Sequence, residues 1–137
     1  MSPDPVGPVE GISVAIVDDE ESVRVGLRRL CGALGLNPTM HASGRDLIES
    51  IDAGARLPDC LLLDAHMPQM TGLELHQQLV RRGLKIPTIV YTADDAPEAQ
   101  ARYMAAGVTD YLRKPIGGDE LLAVIERAVT ARRTAAS

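Results

Sequence analysis

Five strand-like runs punctuate the chain, and each is followed by apolar residues at helical spacing. Residues 12–17 are rich in β-branched side chains and read as a buried strand. Val23, Leu27, Leu30, Cys31 and Leu34 then recur at helical spacing until Gly35 stops the pattern. Residues 37–42 form a short second strand, and Pro38 near its start suggests an edge position. Ser43 and Asp46 have the spacing of a capping box ahead of Leu47, Ile48 and Ile51. Leu61, Leu62 and Leu63 show no polar alternation, which suits a strand covered on both faces, and Asp64 ends the run abruptly. Thr71 and Glu74 supply a second capping box for a helix bearing Leu75, Leu79 and Val80, closed by Gly83. Residues 86–91 are a fourth strand, with Pro87 tolerable at its beginning. Pro97 and Glu98 suit the first turn of an Ala-rich helix. Its large apolar anchors would be Tyr103 and Met104, so it should be the most loosely held. Residues 110–113 make a brief last strand, and Leu121, Leu122, Ile125, Ala128 and Val129 stripe a final helix.

Five strands alternating strictly with five helices imply a doubly wound α/β sandwich of three layers, a parallel sheet between helices. One domain should occupy residues 11–130. Residues 1–10, with Pro3, Pro5, Gly7 and Pro8, read as a disordered lead-in, and residues 131–137 as a tail or linker remnant.

Charge and composition narrow the function. A net charge of −5 argues against gripping nucleic acid through the overall field, and three Tyr with no Trp or Phe leave no stacking platform for bases. Cys31 and Cys60 each fall within an apolar pattern and read as buried free thiols of a reducing cytoplasm rather than a redox or zinc pair. No secretory leader and no run of membrane-spanning length is visible, so a cytoplasmic protein with no membrane contact is expected.

The strand ends carry the chemistry. Asp18-Asp19 follows the first strand, Asp64 the third, Thr92 the fourth and Lys114 the fifth. Ligands of such sheets bind outside the carboxyl ends of the strands. Singly, each residue has a bland explanation: Asp64 could be a solvated turn residue, and the acidic run could face the positive end of a helix dipole. In a sheet ordered 2-1-3-4-5, however, these four strands are neighbours, and three carboxylates, a hydroxyl and an ammonium would share one crevice. Crowded carboxylates repel and call for a hard cation such as Mg²⁺. A carboxylate can also attack phosphorus, with an ammonium and a hydroxyl stabilising the transferring group.

Val17-Asp18-Asp19-Glu20, Leu63-Asp64-Ala65-His66-Met67-Pro68, Thr71-Gly72, Tyr91-Thr92-Ala93 and Asp110-Tyr111-Leu112-Arg113-Lys114-Pro115 together resemble a CheY-like receiver domain of two-component response regulators, over nearly the whole chain. The resemblance implies a flavodoxin-like (βα)5 fold with strand order 2-1-3-4-5. It implies that Asp64 accepts a phosphoryl group from a sensor histidine kinase or phosphotransfer protein. Mg²⁺ (or Mn²⁺) would be held by Asp18, Asp19, Asp64 and the backbone carbonyl of His66, with Asp19 direct and Asp18 through water. Thr92, Ala93 and Lys114 would bind the phosphate, Thr92 and Tyr111 would be the switch pair, and Lys114–Pro115 would be cis. The surface of helix 4, strand 5 and helix 5 would change with phosphorylation and could pair with a second copy. His66 and Asp94 would flank the phosphoryl group and tune its lifetime. The texture of Leu73-Glu74-Leu75 and residues 85–90 is similar to receivers ahead of LuxR-type helix-turn-helix domains.

The imidazoles of His41, His66 and His76 lack metal-ligand spacing and are expected at the surface or an edge. Two other functions fit the same elements less well. An aspartyl-nucleophile phosphohydrolase needs a second carboxylate two residues past the nucleophile, where His66 stands. A scaffold working without phosphate would not need the full acidic and cationic set. On the leading reading the chain is a phosphoacceptor switch, not an enzyme acting on other substrates.

Overall fold

The computed structural model describes residues 11–93 and 96–136. Five strands, β1 (Ser13–Val17), β2 (Asn37–His41), β3 (Cys60–Asp64), β4 (Thr88–Thr92) and β5 (Asp110–Arg113), pair in parallel in the order β2-β1-β3-β4-β5. Five helices, α1 (Glu21–Ala33), α2 (Gly44–Asp52), α3 (Gly72–Arg81), α4 (Pro97–Ala105) and α5 (Gly118–Ala136), alternate with them. The fold is the flavodoxin-like α/β arrangement expected from the alternation.

The two-residue period of the strands divides the core. Val14, Ile16, Leu62, Ile89, Tyr91 and Leu112 point to one face, where Leu27 and Cys31 of α1 and Leu121, Ile125 and Val129 of α5 cover them. Ala15, Val17, Leu61 and Leu63 point to the other, under Leu47 and Ile48 of α2 and Leu75 and Leu79 of α3. Val90 and Tyr111 continue that second face beneath Tyr103 of α4. Central β3 and β4 are buried along their whole length, whereas β2, with Pro38, lies at the edge.

Local signals set the helix starts. The Thr71 hydroxyl accepts from the Glu74 N–H at 3.1 Å, and the Glu74 carboxylate accepts from the Thr71 N–H at 2.9 Å, closing a capping box. At α2 the Ser43 hydroxyl caps Asp46 N–H at 3.0 Å, but the Asp46 carboxylate takes the N–H of Ala42 rather than of Ser43. The expected box is therefore only half formed; Asp is one methylene shorter than Glu.

Three expectations need correction. Met104 does not anchor α4: it is 44% exposed, because only Ala99 and Tyr103, four residues apart, face the sheet. His76 is not a surface residue. It is 6% exposed, and its Nε2 lies 3.0 Å from the carbonyl oxygen of Ala106 at the end of α4. The helix period from Leu75 and Leu79 leaves position 76 on the flank that meets α4. Finally, α5 does not stop with its last large apolar residue but continues through Ala136, over a segment in which five of seven residues are the good helix formers Ala and Arg. The lead-in of residues 1–10 lies outside the described residues.

Candidate functional site

Backbone pairing carries three of the strand ends one residue further and so fixes where their polar side chains go. The Asp18 N–H donates to the His41 carbonyl at 3.1 Å, Ala65 N–H to Tyr91 at 3.0 Å, and Lys114 N–H to Thr92 at 2.8 Å. Continuing the alternation, Asp18, Asp64 and Lys114 fall on the face of α1 and α5, while Thr92 and Tyr111 fall on the face of α4.

Asp18, Asp19 and Asp64 each offer a carboxylate oxygen, and these oxygens lie within 4.8 Å of one another. Asp18 and Asp64 are buried, and Asp19 is exposed at the mouth. The Nζ of Lys114 stands 3.7 Å from Asp18 Oδ2 and 3.7 Å from Asp64 Oδ1. Burial pushes the Asp64 carboxyl above the usual carboxylate range, and Asp18 and, less strongly, Asp19 add to this by repulsion. The His66 N–H, which donates to Asp64 Oδ1 at 3.2 Å, and the Lys114 ammonium pull it back. An all-oxygen cluster with unrelieved negative charge fits a hard divalent cation, which would neutralise what one ammonium leaves over.

Thr92, the last residue of β4, is fully buried beside this cluster on the α4 face, and Ala93 is exposed at the rim. Tyr111 is buried, its ring tilted against Tyr103 with centroids 5.6 Å apart. The His66 side chain is exposed. The Lys114–Pro115 peptide is cis. Asp94 lies outside the described residues. His41, on the edge strand, is half-buried and contacts Thr39; burial lowers its pKa and Asp46 opposes this.

Three residues of the site went unassigned in the sequence. Tyr91, 1% exposed, donates its hydroxyl to Asp18 Oδ2 at 2.6 Å. Burial, followed by that hydrogen bond, pushes the phenol far above its usual range. Arg24, one turn into α1, donates to the Asp18 carbonyl at 2.7 Å. Tyr103 on α4 reaches the loop behind Asp64: its hydroxyl accepts from Leu73 N–H at 3.1 Å and donates to the Ala65 carbonyl at 3.3 Å. The sequence carries only the two-residue phase that puts Tyr91 on the face of Ile89; the register that sets it opposite Asp64 comes from the folded sheet.

Comparison with known proteins agrees with this geometry. The sequence model described as "Response regulator receiver domain" matches residues 14–126. The chain is 37% identical over 117 residues to the DNA-binding transcriptional regulator NtrC of Escherichia coli (strain K12), covering 85% of this chain and 24% of that protein. It is 36% identical over 123 residues to the response regulator MprA of Mycolicibacterium vanbaalenii, covering 90% of this chain and 52% of that protein. Among solved structures, "Crystal structure of FixJ-N" superposes with a TM-score of 0.80 at 32% identity, covering 88% of this chain and 95% of that one. A response regulator receiver protein from Burkholderia phymatum gives 0.78 at 31% identity, covering 87% and 95%. The chain thus spans about a quarter to a half of these full-length regulators, and their names do not single out the LuxR-type arrangement.

Proposed function

The chain belongs to the response regulator receiver family of two-component systems, and on that premise we propose that Asp64 is its phosphoacceptor in a Mg²⁺-dependent (or Mn²⁺-dependent) reaction. The observation that carries this reading is the meeting of Asp18, Asp19 and Asp64 within 4.8 Å, with Lys114 Nζ 3.7 Å from two of them. An oxygen of Asp64 attacks the donor's phosphorus, a new O–P bond forms, and the donor's own bond to phosphorus breaks. Asp18, Asp19, Asp64 and the His66 carbonyl would hold the cation, which supplies charge neutralisation for the incoming phosphoryl oxygens.

Lys114 is positioned to exchange its long contact with Asp64 for one with the new phosphoryl group. Thr92 supplies a hydroxyl from the α4 face and Ala93 a backbone N–H at the rim. The added charge then favours the arrangement in which Thr92 leans toward Asp64 and Tyr111 stays packed inside. Tyr111 is already buried against Tyr103, so the inward state is sterically open to this chain without phosphate. Output would pass through α4, β5 and α5, to a second copy or to a following domain. The donor would be a sensor histidine kinase or phosphotransfer protein of the cytoplasm, a compartment that also suits two buried free thiols. His66, exposed and two residues past Asp64, would tune the lifetime of the acyl phosphate, with Asp94 as the other candidate. The chain would act as a switch and not turn over other substrates.

Labelling with acetyl phosphate tests the assignment. Mg²⁺-dependent, base-labile label is expected on the wild-type chain and none on Asp64→Asn. Label persisting in Asp64→Asn, or steady turnover of phosphomonoesters, overturns it.

A further inference from the structure

Lys114 has to cross the end of β4 to reach the acidic cluster, because β5 pairs with β4 and β4 separates it from β3. What it crosses is the ring of Tyr91, whose centroid lies 4.9 Å from Lys114 Nζ. The hydroxyl of the same ring donates to Asp18 Oδ2 at 2.6 Å, the oxygen that Lys114 Nζ approaches to 3.7 Å. The other oxygen of Asp18 accepts from the Glu20 N–H at 2.8 Å. Both oxygens of this fully buried carboxylate are therefore fixed by protein donors before a cation arrives, and each keeps a second lone pair.

We infer that Tyr91 is a positioning residue of the cation site: its hydroxyl orients Asp18 and keeps Lys114 from closing on it, while its ring carries the ammonium across to Asp64. The inference rests on the proposed receiver chemistry but adds a residue and a physical role. A buried carboxylate oxygen without its donor takes the nearest alternative. In Tyr91→Phe that alternative is Lys114, which needs to move about an ångström to become a tight ion pair with Asp18. The ammonium would then compete with the divalent cation for the Asp18 charge and abandon Asp64. The phenylalanine keeps the ring as a surface for Lys114, so the core face of β4 stays filled.

Mg²⁺ titration calorimetry on the unphosphorylated chain tests this, with folding of every variant checked by circular dichroism. Wild type should bind Mg²⁺ and Asp19→Asn should lose it; wild type failing to bind would overturn the receiver reading and the inference with it. Tyr91→Phe should weaken Mg²⁺ about tenfold, in the range typical of groups that orient metal ligands. Adding Lys114→Ala to Tyr91→Phe should remove most of that loss, because the competitor is gone, leaving the cost of the tyrosine change at about twofold or less. The reference for the double variant is Lys114→Ala alone, because removing an ammonium 3.7 Å from Asp18 and Asp64 strengthens Mg²⁺ binding whatever Tyr91 does. A purely structural tyrosine would cost the same factor in both backgrounds. Unchanged affinity in Tyr91→Phe, or the full loss retained beside Lys114→Ala, overturns the inference while leaving the proposed function standing.

Discussion

The hydroxyl of Tyr103 on α4 donates to the carbonyl of Ala65, the residue immediately after Asp64, at 3.3 Å. It also accepts from the Leu73 N–H at 3.1 Å, so a single phenol ties the loop behind the acidic cluster to α4. His76 makes a second tie from α3 to the far end of the same helix. A helix with only Ala99 and Tyr103 buried thus depends on polar contacts for its seat. Tyr103→Phe keeps the ring against Tyr111 and removes two hydrogen bonds. It should cost about 1–2 kcal/mol in urea unfolding and should lower hydrogen-exchange protection in α4 more than in α1. Equal protection in both helices would show that the phenol does not seat α4.

Two glycines at equivalent helix starts should respond differently to the same methyl group. A Cβ on Gly72 would sit 2.8 Å from the Asp64 carbonyl oxygen and 3.3 Å from the Tyr103 hydroxyl. The first of these is strand backbone and has nowhere to go. A Cβ on Gly44 would meet Met70 Sδ at 2.7 Å, but that is the end of a flexible side chain. Gly72→Ala should therefore destabilise by about 1–3 kcal/mol, and weaken Mg²⁺ by displacing Asp64. Gly44→Ala should stay within about 0.5 kcal/mol of wild type. Thermal melts of the pair, with and without Mg²⁺, check both statements.

Sequence patterning carried the fold well where a single period dominated. The unbroken run Leu61-Leu62-Leu63 marked the doubly covered strand, and the strand-end residues meet in one crevice because parallel topology leaves few other places for them. Most of the misses share a cause. His76, Met104, Tyr91 and Tyr103 all depend on which flank of an element faces which neighbour, a relation set by packing between elements distant in sequence. A tyrosine in a β-rich apolar run reads as core, and Tyr91 is core for most of its surface; its hydroxyl and the ring face under Lys114 belong to the site. Arg24 was invisible for a different reason, since it acts through a backbone carbonyl that no side-chain motif records.

The thiols should be inert in the native state. Burial pushes Cys31 up to about 11 and Cys60 up to about 12, and both side chains are fully enclosed. At pH 8 roughly one molecule in a thousand or fewer would carry a thiolate even if reagent could reach it. Ellman's reagent should therefore find almost no thiol in native protein and two per chain in 6 M guanidinium. Fast reaction of one thiol without denaturant would contradict the enclosed packing between α1 and the sheet.

Asp64 should make the metal-free domain less stable at neutral pH than it would be without that charge. Its carboxyl is held above the usual range, chiefly by burial and then by Asp18. The folded protein therefore keeps this proton to higher pH than the unfolded chain does. Between the unfolded value near 4 and the raised folded value, stability contributed by this group falls as pH rises, and above the folded value the loss is complete. In EDTA at pH 7, Asp64→Asn should raise Tm by roughly 4 °C, what about 1 kcal/mol produces in a domain of this size. As pH falls through and below the ordinary carboxylate range and Asp64 itself takes up its proton, the two melting curves should converge. Mg²⁺ relieves the same repulsion, so it should raise the Tm of wild type more than that of Asp64→Asn. A variant that melts below wild type at pH 7, or a difference that does not shrink toward pH 4, would show that Asp64 is not under the electrostatic load assigned to it.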